Sequence, residues 1–136
     1  VALLGKLRVD RNKVQDGEWK SPGEEWEDMQ LLVRGQTDQY RDAVAARMRA
    51  AARDYNDDTR RVPSKIARAI VVECLIEFVF IDVKNAELRK GEPIDAAQYI
   101  ELMRSEDYPT LVDAVLVASG MVGRTRAADL EEAKGN

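Results

Sequence analysis

Residues 63–83 are the longest apolar-rich stretch of the chain, and after Pro63 it holds neither Gly nor Pro. Ile66, Ala67, Ile70, Val71, Cys74, Leu75, Phe78 and Ile81 recur at the three- and four-residue spacing of one helical face. Val72, Ile76, Val79 and Phe80 widen that face until only Lys65, Arg68, Glu73, Glu77 and Asp82 are charged. The spacing predicts one central helix, about 30 Å long at roughly 1.5 Å per residue, with neighbours on most of its sides. Glu73, Glu77 and Asp82 would each be costly at the centre of a bilayer, so the stretch reads as a core helix and not a membrane span.

A chain of 136 residues suits one domain with a substantial core and is short for two. The net charge of −4 weighs against a nucleic-acid or anionic-membrane partner. Histidine is absent, which removes the commonest general base and the commonest metal ligand together. Cys74 is the only cysteine, so no internal disulfide forms and no oxidising compartment is implied. Residues 1–4 are too short for the apolar core of a signal peptide. The expected setting is cytosolic.

Residues 1–16 read as a weakly patterned N-terminal segment. From 17 to 120 a single helical domain follows, opening with a β-hairpin over 17–35. Ser21, Pro22 and Gly23 make a turn, with Pro presetting φ and Gly supplying conformational freedom. One strand is expected around 18–20 and a second around 26–34, stopped by Gly35. A lone hairpin is marginal in water, so it must pack on the helices or on another chain.

Thr37 is placed to cap a helix over 38–55. Pro63 suits the first turn of the central helix, where its missing N–H costs nothing. Residues 85–93 read as a charged connection. Asp95 with Gln98 three residues later is the clearest helix start, a reciprocal capping box for a helix over 96–104. A last helix is expected over 108–119, and the polar tail over 121–136 is read as mobile. These elements give a mainly α (α+β) fold: an N-terminal β-hairpin packed on a bundle of about four helices around a long central helix.

Candidate chemistry is sparse. Asp54, Asn56 and Asp58 imitate the first ligands of a calcium loop, but Thr59 stands where Gly is needed and Lys65 where a bidentate Glu is needed. Glu73 and Glu77 share a helical face, as Mg²⁺-binding carboxylates do in all-α nucleotide pyrophosphatases, but no second acidic pair accompanies them. Arg41, Arg47, Arg49 and Arg53 make one helix locally basic, but interleaved Asp38, Asp42 and Asp54 point to a solvated face or an acidic partner. Cys74 reads as a small core residue. Gly-rich phosphate loops, serine elbows and zinc spacings are absent, so no catalytic, cofactor-binding or metal residue is expected. Trp19 and Trp26 flank the acidic turn and either cover the core or anchor an interface, a role in which Trp is enriched.

The order of these features resembles the tail assembly chaperones of long-tailed bacteriophages, prophages and gene transfer agents. It is carried by Trp19 before the Pro22–Gly23 turn, then the strand Leu31-Leu32-Val33-Arg34-Gly35 and an Arg/Ala-rich helix with Tyr40 near its start. A long apolar helix then runs through Phe78 and Phe80 into Lys90-Gly91-Glu92-Pro93, followed by a short capped helix and a final one. The resemblance spans residues 17–118 and is one of pattern and order. It implies a non-enzymatic protein of the host cytoplasm, absent from the mature virion. Such a protein keeps the tape-measure protein soluble and recruits tail-tube subunits. Self-association and a longer frameshifted product extending beyond residue 124 are compatible with it.

Reversible contacts of that kind suit apolar anchors with charged rims. Trp19, Trp26 and Leu32 of the hairpin, with Arg49 and Arg53 of the basic helix, are the expected partner-binding residues. Competing readings are another small phage morphogenesis protein, a head–tail connector or a regulator, and more remotely a Mg²⁺-dependent pyrophosphatase resting on Glu73 and Glu77.

Overall fold

The computed structural model describes residues 1–124. Asp10 begins the packed part of the chain: its carboxylate accepts the Asn12 and Lys13 N–H groups and caps a short helix, α1 (Arg11–Asp16). Strand β1 (Glu18–Lys20) follows, and after a 3₁₀ turn (Glu24–Trp26) the chain returns as β2 (Gln30–Val33). The second strand is shorter than the expected 26–34. Glu27 takes φ 55° and the Met29 N–H donates to the Trp26 carbonyl at 3.1 Å, so Trp26 belongs to the turn.

Thr37 caps α2 (Asp38–Ala51) as expected, accepting the Tyr40 N–H at 3.3 Å, and a 3₁₀ turn (Ala52–Tyr55) extends it. The central stretch departs from expectation. It divides into α3 (Ser64–Phe78) and β3 (Phe80–Lys84), with Val79 at φ −121°, ψ −59° as the break. Val79, Phe80, Ile81 and Val83 are β-branched or aromatic and fit a pleated surface better than a helix end. The exposed edge of β2 supplies the partner, and the Val79 carbonyl accepts the Arg34 N–H at 2.9 Å. A 15-residue α3 spans about 22 Å, not the full width expected. Nor is it enclosed all round: Val72, Cys74 and Leu75 are buried, but Ile66 is 39% exposed. α2 and α4 (Ala96–Arg104) flank α3 and leave its first turns open.

The three strands form an antiparallel sheet in the order β1-β2-β3. The charged connection makes a small hairpin of its own, β4 (Glu87–Arg89) with β5 (Glu92–Pro93), turned at Gly91. The capping box at α4 forms in both directions: Asp95 Oδ1 accepts the Gln98 N–H at 2.8 Å and Gln98 Oε1 accepts the Asp95 N–H at 3.0 Å. α5 (Pro109–Met121) completes the fold. The mainly α (α+β) class, with the hairpin on a helical bundle, is the one observed.

Leu31 and Val33 alternate onto the inner face of the sheet, and their cross-strand partners Val83 and Phe80 join them there across a register shift in β3, against α4 and α5. Two ion-paired carboxylates tie the helices: Glu73 accepts from Arg104 of α4 and Glu77 from Arg47 of α2. The two ends of the packed part of the chain meet at the Glu18–Val33 end of the sheet. There the Asp10 N–H donates to the Gly123 carbonyl at 2.9 Å, and Val122, expected in the tail, is buried in the core. Gly123 is required at this joint, since its φ is +74° and a Cβ would lie 2.7 Å from the Asp10 carbonyl oxygen. The tail expected over 121–136 lies, past position 124, outside the described residues, as does any frameshifted extension. Among the described residues no helix is long and apolar enough to cross a membrane.

Candidate functional site

The outer face of the sheet is built by the side chains that alternate away from the core. Leu31 and Val33 point inward, so Leu32 points outward, and its cross-strand partner Trp19 lies on the same face. On the other side Leu32 pairs with Asp82 of β3. The register shifts between Leu32 and Val33, and this irregularity brings Ile81 to the outer face as well. A Cβ built on Gly17 would lie 2.8 Å from Ile81 Cδ1 and 3.7 Å from Leu32 Cδ1, which locates both side chains together beside the start of β1. Trp19, Leu32 and Ile81 are each half-buried.

Charge rims this patch. The Lys84 ammonium sits 4.4 Å from the centroid of a Trp19 ring, within cation–π range. Asp82 accepts the Val83 N–H at 2.8 Å, so its carboxylate is fixed beside Leu32. An apolar centre with such a rim is the composition of a reversible protein interface.

Beneath Trp19, the inner face of β1 carries an unusual load. Lys20 is 7% exposed, and its ammonium lies 2.9 Å from Glu18. Lys13 of α1 reaches the other Glu18 oxygen at 2.9 Å, and the Gly123 N–H donates to Glu18 at 3.3 Å. Burial pushes the Glu18 carboxyl upward, but hydrogen bonds from Lys20, Lys13 and Gly123 outweigh it, and the net displacement is below the ordinary carboxylate value. Glu18 therefore joins α1, β1 and the end of α5, and fixes the strand that presents Trp19. Removing one partner would leave the other charge poorly compensated at this depth.

The expected partner-binding residues fall in three places. Trp19 and Leu32 come together on the sheet. Trp26 does not join them; it packs partly against the core and lines a groove of about 600 Å³ below β4 and β5. Arg49 lies exposed at the far end of α2 and Arg53 exposed in the 3₁₀ turn that extends it, with no ion pair among the described residues. Arg49 is roughly 17 Å along the helix axis from Asp38, where the chain leaves the sheet. Ile81 and Lys84 were missed because residues 63–83 read as one helix; the alternation of Ile81, Asp82, Val83 and Lys84 was the available signal for a strand, whereas the outward turn of Ile81 comes from the register shift.

The candidate chemical groups are engaged structurally. Glu73 accepts from Arg104 Nε at 3.0 Å and Nη2 at 2.9 Å, whereas Glu77 faces Arg47 on the opposite flank, so the two carboxylates do not converge. Asn56 and Asp57 turn the chain with φ 56° and 57°, and Asp58 accepts the Arg60 N–H at 3.0 Å. Among the described residues no group of three or more His, Cys, Asp or Glu side chains is placed to hold a metal ion. Cys74 is fully buried, and burial pushes its thiol above the ordinary value.

Comparison with protein-family models, with curated proteins and with solved structures finds no match.

Proposed function

We propose that this protein is a non-enzymatic tail assembly chaperone of a long-tailed phage, prophage or gene transfer agent. In this reading it acts in the bacterial host cytoplasm. It binds the tape-measure and tail-tube proteins while the tail is built, and leaves before the particle matures. The observation that carries the proposal is the pairing of Trp19 with Leu32 on the outer sheet face, joined by Ile81 and rimmed by Lys84 and Asp82. The sequence resemblance supplies the identity of the partners. The engagement of Glu73 by Arg104 and of Glu77 by Arg47 supports a structural role for both carboxylates and speaks against the pyrophosphatase alternative.

The test is co-expression with the tape-measure protein of the same phage or element. A chaperone keeps the tape-measure protein in the soluble fraction and is missing from purified particles by mass spectrometry. A tape-measure protein equally insoluble with and without this chain, or a stoichiometric ring of this chain in the particle, contradicts the proposal and favours a connector.

A further inference from the structure

Among the described residues, large exposed apolar side chains are few, and most of them belong to two sites. Val1, Leu3, Leu4 and Leu7 are exposed by two thirds or more, on an N-terminal arm in which no residue is buried. Leu88 and Tyr108 are exposed at 43% and 38%, and both line the groove that Trp26 helps to form.

The groove lies between the Glu24–Trp26 turn, the β4–β5 hairpin and the two last helices. Its apolar lining includes Trp26, Met29, Leu102 and Leu111, and Glu25, Glu27, Asp28 and Glu87 bring four carboxylates to it. Arg89 and Lys90 stand at one lip, where Arg89 already faces Glu92 at 3.8 Å. Glu25, Glu27 and Asp28 have no ion pair among the described residues.

The arm has the complementary chemistry. Leu4 and Leu7 share one face of a 3₁₀ turn, Leu3 precedes it in extended backbone, and Lys6 and Arg8 flank Leu7 without an ion pair among the described residues. Each chain thus carries a basic apolar segment and an acidic apolar groove. We propose that residues 3–8 of one copy dock in this groove of a second copy, with the leucines on its apolar lining and Lys6 and Arg8 against its carboxylates.

Geometry favours a contact between copies. The arm leaves the body at Asp10, bonded to Gly123 at the Glu18–Val33 end of the sheet. The groove lies at the other end, where Met29 precedes β2 and Asn85 follows β3. A donor at one end and an acceptor at the other make a head-to-tail contact, which propagates into rings or open chains and is not limited to a two-fold dimer. The pairing does not depend on the tail-assembly reading.

Light scattering and sedimentation on the full chain test it. The wild type is expected to give salt-sensitive oligomers larger than a dimer. An arm variant, Leu4→Ser with Leu7→Ser, and a groove variant, Glu25→Lys with Glu27→Lys and Asp28→Lys, are each expected to fall to the 15.3 kDa monomer. Both change surface residues, and unchanged circular dichroism checks that each remains folded. Mixing the two is the decisive step, because the groove variant keeps its arm and the arm variant keeps its groove. A 1:1 heterodimer is expected. The proposal is overturned by a wild type that stays monomeric, by an arm variant that assembles like the wild type, or by a mixture that remains two monomers.

Discussion

The Phe80 ring, first in β3, stacks on Tyr99 of α4 with centroids 4.9 Å apart and planes 15° from parallel. The Tyr99 hydroxyl then donates to the Leu111 carbonyl of α5 at 2.9 Å. One side chain thus joins the strand that the sequence disguised to both of the last helices.

Tyr99→Phe keeps the stack and removes only the hydroxyl. The Leu111 carbonyl keeps its place in the ladder of α5 and loses only this second bond, so the expected loss is about 1 kcal/mol in urea unfolding, with an unchanged m-value. Tyr99→Ala also opens a cavity under Phe80 and is expected to cost about 3–5 kcal/mol. Equal stability of wild type and Tyr99→Phe would show that the bond to Leu111 contributes nothing.

Glu18 sets an acid dependence. Its folded-state value lies below the unfolded one, so its contribution is complete above the ordinary carboxylate range and is lost as pH falls through the lowered value. Lys13, raised chiefly by its hydrogen bond to Glu18, works in the opposite sense and fades only as pH climbs beyond the ordinary lysine range. Glu18→Gln is expected to lower stability at neutral pH and to flatten the acid limb of the stability–pH curve. An acid limb as steep as that of the wild type would contradict this assignment.

Gly123→Ala places a methyl group against the Asp10 carbonyl at a backbone angle that disfavours any side chain. The expected cost exceeds about 1 kcal/mol. Hydrogen exchange should locate it, with faster exchange at the Asp10 and Gly17 amides and little change at Tyr99. Uniform protection in the variant would mean that the joint between the two ends is not where strain is relieved.

Local chemistry made some of this fold readable. Thr37, Asp95 and Gln98 announce helix starts through hydrogen bonds to groups three residues away, and the structure forms each of them. The switch at Val79 was hidden for two reasons. Apolar periodicity alone does not separate a buried strand from a helix end. The deciding partner, β2, lies some fifty residues earlier, so β3 is fixed by tertiary pairing and not by its own propensity. The same long-range pairing explains the candidate site. Trp19 and Leu32 were within reach because a hairpin connects them, but Ile81 and Lys84 join only once β3 exists. Trp26 is grouped with them only by a second strand expected over 26–34, which in fact begins at Gln30, and Arg49 only by local charge, which carries no information about distance.

The central claim is that the outer sheet face holds the partner. The most direct measurement is calorimetric titration of the tape-measure protein into wild type and into a Trp19→Ala/Leu32→Ser variant, with circular dichroism confirming that the variant is folded. Losing a Trp anchor from an interface centre typically costs about 2 kcal/mol or more, so affinity is expected to fall by roughly thirtyfold. A folded variant that binds with wild-type affinity contradicts the account.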